Sequence, residues 1–287
     1  MKNSFFFLTI ALSSLFSVLS AADFTVTVLS GMDKVFPEID DFSFPLGWKR
    51  AEIAAAGRES ENFQVALIPL AKALDGVSVT VRDLRMEDGK IFPAGKIVWH
   101  RVGYVRTKSG TGTLTRTGRR WPDVLMPGEP FSVARGFVGS VFFTVTVPTG
   151  TPIGVYRGFI DFNAAGAEKQ SVLLELTVRS FDLPLRGKLR TQFSFHPGTW
   201  EAWYHPERAR EAYGVPASAP AGSAYGNYFH DSAGAKDLLS EKDWFRVYDF
   251  LLAHRLSPVF IYNWNSVKTP PRIFPPLEHL SYCYGAE

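Results

Sequence analysis

From Asp23 to about Leu185 the chain alternates apolar and polar positions. "FTVTVL" runs from Phe24 to Leu29, and "NFQVALIPL" (Asn62 to Leu70) sets Phe63, Val65 and Leu67 against polar or small partners. "VSVTVRDL" (Val77 to Leu84), "KIVWHRVGY" (Lys96 to Tyr104), "GSVFFTVTVP" (Gly139 to Pro148), "GVYRGFIDF" (Gly154 to Phe162) and "KQSVLLELTVRSF" (Lys169 to Phe181) follow the same rule. These runs are rich in Val, Thr and Phe at period two, and Gly, Pro, Asp or Asn marks many of their ends, which predicts half-buried strands. A helical period shows weakly in "KRAEIAAAGRE" (Lys49 to Glu59) alone within this stretch. About seven strands with one buried face each are most economically closed as a β-sandwich. In "PTGTPIGVYRGFIDF", Pro148 ends one strand, Gly150 permits a positive φ, and Val155 restarts the alternation.

The pattern changes after Pro184 and Gly187. "LRTQFSF" (Leu189 to Phe195) reads as a new strand, closed by His196-Pro197-Gly198. A long segment rich in Ala, Gly, Ser, Pro and Tyr, Trp200 to Gly234, comes next. Ser240 opens a helix, with Asp243 as a shorter stand-in for the capping-box Glu. Trp244, Phe245, Val247, Tyr248, Leu251 and Leu252 share one helical face, and His254 and Arg255 suit the negative end of the dipole. Pro258 stops the helix before the continuous apolar run "VFIY" (Val259 to Tyr262), of the kind that parallel sheets bury. Strand, loop, helix, strand is a βαβ order. The predicted fold class is therefore mainly β then α/β: a β-sandwich followed by a βαβ unit.

The first residues predict a processed leader. Lys2 supplies the charge, Phe5 to Leu19 is apolar apart from Thr and Ser, and Ser20-Ala21-Ala22 offers a small-residue cleavage site. The apolar stretch is shorter than the ~20 residues of a membrane span. Residues 1–22 are accordingly expected to be a signal peptide, and the protein to be exported to a periplasm or the outside, with no membrane attachment after cleavage. Cys283 is the only cysteine of the 287 residues, which excludes an internal disulfide and a cysteine-based metal site. With 46% hydrophobic residues the chain can build ordinary cores without disulfide support.

Net charge of +3 is too small to imply a polyanionic partner, and no aromatic-interleaved nucleic-acid motif is present. The charge is unevenly spread, however. No acid stands between Asp88 and Asp123, where Lys90, Lys96, Arg101, Arg106, Lys108, Arg116, Arg119 and Arg120 do. Such a stretch is either a patch for an anionic ligand, a sulfated glycan for example, or a solvated loop and strand face. "KSGTGTLTRTGRR" is Gly- and Thr-rich but lacks the phosphate-loop spacing, and H-E-x-x-H, G-x-S-x-G and Cys-His clusters are all missing. No cofactor is implied. Glu59 and Glu61 would stand ~7 Å apart on one strand face, within the range of catalytic carboxylate pairs, but nothing concave is implied around them.

Five stretches taken together, in their order and spacing, resemble glycoside hydrolase family 123 and the related domain of unknown function 4091. They are "GRESENFQVALIP" (Gly57 to Pro69), "WPDVLMP" (Trp121 to Pro127), "PIGVYRGFI" (Pro152 to Ile160), "SFDLPL" (Ser180 to Leu185) and "FLLAHRLSP" (Phe250 to Pro258). The resemblance implies a sandwich over residues 23–185 and, over 189–287, the N-terminal part of a (β/α)8 barrel. It implies cleavage of terminal N-acetylgalactosamine, with the substrate's 2-acetamido group as nucleophile and an adjacent Asp-Glu pair as orienting carboxylate and general acid. Nowhere in this sequence does Asp directly precede Glu, so no catalytic residue is assigned. The stretch from Leu189 to Glu287 is also about half of the shortest barrels, roughly 200 residues, and the chain is expected to be a truncated copy, a split product or a partial reading frame.

In barrels of this kind the site lies at the C-terminal ends of strands. His196 after the first strand, and Asn263 and Trp264 after the second, are therefore the substrate-binding candidates. Trp200 and Trp203, beside Tyr204 at the start of the insertion, are candidates to wall a glycan cleft by stacking on sugar faces. Two functions emerge: part of an exported hexosaminidase-like hydrolase that is inactive alone, or a non-catalytic secreted module whose sandwich binds glycan or a partner protein.

Overall fold

The computed structural model describes residues 22–107, 118–185 and 241–256, with isolated positions at 207 and 211. The chain divides into two compact units, Met1–Leu183 and Pro184–Glu287. Twelve strands are found among the described residues, all in the first unit. They are β1 (Phe24–Ser30), β2 (Arg50–Gly57), β3 (Glu59–Pro69), β4 (Leu74–Val81), β5 (Leu84–Arg85), β6 (Ile91–Phe92), β7 (Ile97–Arg106), β8 (Arg120–Met126), β9 (Phe131–Val133), β10 (Gly139–Val147), β11 (Gly154–Asn163) and β12 (Gln170–Asp182). One sheet has five strands in the order β1-β3-β10-β7-β8, and the other has seven, β2-β12-β11-β4-β9 with β5 paired to β11 and β6 to β5. Pairing is antiparallel except between β2 and β12.

The two inner faces make one core, as the alternation requires. The first sheet contributes Phe24, Val26, Phe63, Val65, Leu67 and the β10 series Val141, Phe143, Val145 and Val147, all buried. The second contributes Tyr156, Ile160, Phe162, Val172, Leu174, Leu176 and Val178. Phe143 joins the layers: it stacks on Phe63 at 4.9 Å and meets Phe162 of the opposite sheet edge-on at 6.2 Å. Tyr156 is fully buried yet keeps its hydroxyl satisfied, donating to the Pro152 carbonyl oxygen at 2.7 Å. The "PIGVY" stretch is thus a corner that ties its own turn to the core, with Gly150 at φ 73° supplying the reversal.

Two features depart from simple alternation. In β3, Gln64, Ala66 and Ile68 are buried as well as Phe63, Val65 and Leu67. The reason is a second small core on the outer face of the first sheet, where Leu29, Val35, Ala66, Ile68 and Val138 pack with Ile39, Phe42 and Phe44. The segment between β1 and β2 covers that face. Buried Gln64 is held there by its amide donating to the Ser30 and Asp33 carbonyls at 2.8 Å and by accepting from the Ser140 hydroxyl at 2.9 Å. The second departure is β2, whose alanines suggested a weak helical period. It is a strand because Ala51 and Ala55 fit a narrow strip of core beside β12, and packing overrides propensity.

The predicted mainly β then α/β class is corrected by the structure. The described residues are almost entirely β, every strand belongs to the sandwich, and no βα unit is seen among them. Among the described residues the second unit shows the helix α1 (Glu241–Ala253), with Glu207 and Glu211 also helical, and the strands expected at Leu189–Phe195 and Val259–Tyr262 lie outside the described residues. The helix does not run on towards Pro258. It closes with Arg255 in the left-handed region at φ 58°, Arg255 N–H donating to Leu252 O at 2.9 Å and Leu256 N–H to Leu251 O at 2.9 Å. That is a Schellman stop built on arginine instead of glycine. Inferring a βαβ unit from a helix followed by a short apolar run fails because periodicity does not tell a buried strand from other buried segments.

Candidate functional site

The richest concentration of polar chemistry among the described residues is where the β7–β8 ribbon meets the segment 36–41. The ribbon's register sets Arg106 opposite Arg120, Val105 opposite Trp121 and Tyr104 opposite Pro122. An isolated bridge joins Glu38 to Phe137, just before β10, and Ile39 N–H donates to Gly136 O at 3.1 Å. These pairings bring Glu38 and Asp41 against Arg120 and Arg119. Arg120 donates through Nε to Glu38 Oε1 at 2.9 Å, with its terminal nitrogen at 2.8 Å from the same oxygen. Arg119 pairs with Asp41 at 3.0 Å and lies 3.4 Å above the Phe36 ring. Phe36 in turn meets Trp121 edge-on at 5.1 Å, and Arg120 stands 4.8 Å over Phe137.

Within this seam Glu38 Oε2, the Tyr104 hydroxyl, Arg119 Nε and Trp121 Nε1 are buried without a protein hydrogen-bond partner. Burial pushes the Tyr104 phenol well above its ordinary value, and the nearby Glu38 charge adds to this while Arg120 partly offsets it. Tyr104 is therefore a neutral phenol throughout the physiological range, neither base nor nucleophile. The carboxylate next to it, Glu38, is occupied by Arg120. Such a set can hold the 36–41 segment on the sheet and donate to hydroxyl groups, but it is not an acid-base pair.

The other carboxylates with resolved partners are also committed to structure. Asp161 is buried and accepts from Arg82 Nε at 2.9 Å and Ser171 Oγ at 2.7 Å, with Lys169 at 3.8 Å. Burial would raise its pKa, but the Ser171 and Arg82 hydrogen bonds and the Arg82 and Lys169 charges outweigh it and hold the carboxyl below its ordinary value. Glu175 is bound by Arg157 at 2.7 Å and Arg50 at 3.3 Å. Glu59 sits opposite buried Val147, on the inner side of β3, and accepts from Ala56 N–H at 2.7 Å, so it ties the β2–β3 corner; its neighbour Glu61 stands opposite Val145. No group of three or more metal-ligating side chains occurs among the described residues. No helix among them is long and apolar enough to cross a membrane.

The basic stretch is largely spoken for. Lys90 pairs with Asp88 at 2.7 Å, Arg101 lies 5.9 Å from the Phe131 ring, and Arg119 and Arg120 pair as above. Lys108 and Arg116 lie outside the described residues. The acids that answer this run come from Glu38 and Asp41, far back in sequence. A sequence signal for the seam did exist in the acid cluster Glu38, Asp40 and Asp41 placed before an acid-free basic run. The substrate-binding candidates His196, Trp200, Trp203, Asn263 and Trp264 all lie outside the described residues.

No protein-family model matches the chain, and no curated protein sequence matches it. Among solved structures, a family 123 glycoside hydrolase from Clostridium perfringens, studied for glycolipid glycan hydrolysis, matches with a TM-score of 0.63 at 15% identity. The match covers 83% of this chain and 37% of that one, so the present chain spans little more than a third of that structure. At this identity the likeness is one of fold: the chain has a distant family 123-like fold. A PapD-like domain of human CEP192 (TM-score 0.31, 11% identity, covering 62% of this chain and 100% of that domain) carries no argument at that score. The same holds for the periplasmic chaperone SfaE (TM-score 0.27, 10% identity, 59% of this chain and 65% of that one).

Proposed function

We propose that this chain is part of an exported glycoside hydrolase-like protein that engages glycans carrying N-acetylhexosamine. The observation that carries the reading is the fold likeness to the family 123 glycoside hydrolase over 83% of the chain. It is supported by the five sequence stretches that resemble that family, and export by the apolar leader after Lys2. In this reading Trp200, Trp203 and Trp264 stack on sugar faces, and His196 and Asn263 hydrogen-bond hydroxyls. The finer activity is N-acetylgalactosaminidase-like. A substrate-assisted route needs one carboxylate to orient the acetamide and another to protonate the leaving oxygen. The sequence has no Asp directly before Glu, so this polypeptide binds without turning over on its own.

A second reading, a non-catalytic module for a glycan or partner protein, is favoured by the structural engagement of Glu38, Asp161 and Glu175. Titration of the full chain with an N-acetylgalactosamine-terminated oligosaccharide separates the two from a chain with no glycan role. Binding that is lost in Trp200→Ala, Trp203→Ala or Trp264→Ala supports a glycan function. Binding that survives all three, and His196→Ala and Asn263→Ala as well, favours the sandwich, and no binding at millimolar sugar rejects the proposal.

A further inference from the structure

We propose that the β2–β3 corner is a latch that holds the end of β12 and so fixes the point at which the polypeptide leaves the sandwich. The corner is unusual in itself. β2 belongs to one sheet and β3 to the other, and the chain changes sheets through a single residue, Arg58, at φ 63°. A non-glycine residue rarely adopts that conformation, and it costs free energy that surrounding contacts must offset. Here those contacts reach the end of β12. Leu183 N–H donates to Gly57 O at 2.8 Å, and the Arg58 guanidinium donates to Leu183 O at 3.2 Å. Arg58 N–H also donates to Val147 O at 2.7 Å, which ties the corner to β10. The Thr149 hydroxyl donates to the Asp182 carboxylate, bringing in the β10–β11 connection.

Gly57 completes the device by having no side chain. A Cβ built there would lie 1.7 Å from Asp182 Oδ1. The register of β12 against β2 shifts between Val178 and Asp182, so the strand has two parts. Residues up to Val178 pack into the core, and those beyond it are exposed and held chiefly by the corner. The boundary between the two compact units comes immediately after, at Leu183–Pro184. With the latch closed, the connection into the second unit starts at Pro184. With it open, the connection gains residues 179–183 without disturbing the core.

The test uses the full chain and two variants. Arg58→Gly removes the guanidinium contact while relieving the left-handed strain, so the melting temperature should not fall. Amide exchange at Phe181, Asp182 and Leu183 should nevertheless quicken roughly tenfold, the size that losing one charged hydrogen bond implies. Amides of Val172 to Val178 should keep their protection, and tryptic cleavage after Arg179 should accelerate in parallel. Gly57→Ala, which forces Asp182 away, should give the same local signature. Exchange at 181–183 within twofold of the parent in both variants would overturn the latch. So would exchange that rises in step across β10, β11 and β12, because the segment would then be an ordinary part of the global fold.

Discussion

Replacing Phe143 by alanine tests the sandwich at the residue that joins its layers. The ring is 0% exposed, stacked on Phe63 and edge-on to Phe162 from the other sheet. Its backbone is in the middle of β10, paired to β3 on one side and β7 on the other. The site therefore has little freedom to collapse around a truncated side chain. Phe-to-Ala changes in cores cost about 3–5 kcal/mol, and poorly collapsing sites are at the upper end. About 4 kcal/mol is expected here, a large part of the roughly 5–15 kcal/mol that a native domain has. With a urea m-value of about 2 kcal/mol/M the midpoint should fall by about 2 M. Phe159→Ala is the control: that ring is one residue before buried Ile160 but faces outward and is 47% exposed, and its loss should cost under about 1 kcal/mol. The assay is urea unfolding of both variants followed by circular dichroism. Equal midpoints, or a larger loss for Phe159→Ala, would mean that the inner and outer faces of the sheets have been interchanged.

The polar networks give two further expected outcomes. Tyr104→Phe deletes a buried hydroxyl that has no protein partner, so its stability should change by less than about 0.5 kcal/mol or rise; a loss above about 1.5 kcal/mol would show that the hydroxyl is bonded after all. Asp161 has a folded pKa below its unfolded one, near 3.8, so its contribution is full above that value and is lost as pH falls through the folded pKa. Asp161→Asn should therefore cost about 1–2 kcal/mol at pH 7, discounted for the half-exposed Arg82, and the difference from the parent should shrink below about pH 4; a gap that stays constant down to pH 2 would contradict the assignment.

Much of the sandwich was legible because its strands obey period two over long runs, as β10 and β12 do. The parts that were not legible depend on distant chain. Gln64 and Ala66 look like the solvated side of β3 until the 35–44 segment is laid over them. β2 hides its strand character because a core strip that admits only small side chains selects alanine, which also favours helices. β8 was hidden by Pro122 and by a register shift between Val102 and Tyr104 on its partner, which leave no clean alternation in "WPDVLMP". The α/β expectation failed for a different reason. A helix followed by a short apolar run reads as a βαβ step, but no βα unit is seen among the described residues, and periodicity does not tell a buried strand from other buried segments. The seam of Glu38, Tyr104, Arg119, Arg120 and Trp121 was half visible, since the charges were evident but their pairing across the sheet was not.

A polypeptide that handles sugar without hydrolysing it has a double signature, binding and no turnover. The direct measurement is calorimetric titration of the full chain with an N-acetylgalactosamine-terminated oligosaccharide, run beside a chromogenic N-acetylgalactosaminide assay on the same preparation. Saturable binding with no turnover above the uncatalysed rate is the predicted result. Turnover by the chain alone would contradict the claim that the carboxylate pair is required, and the absence of binding at millimolar sugar would contradict the glycan assignment.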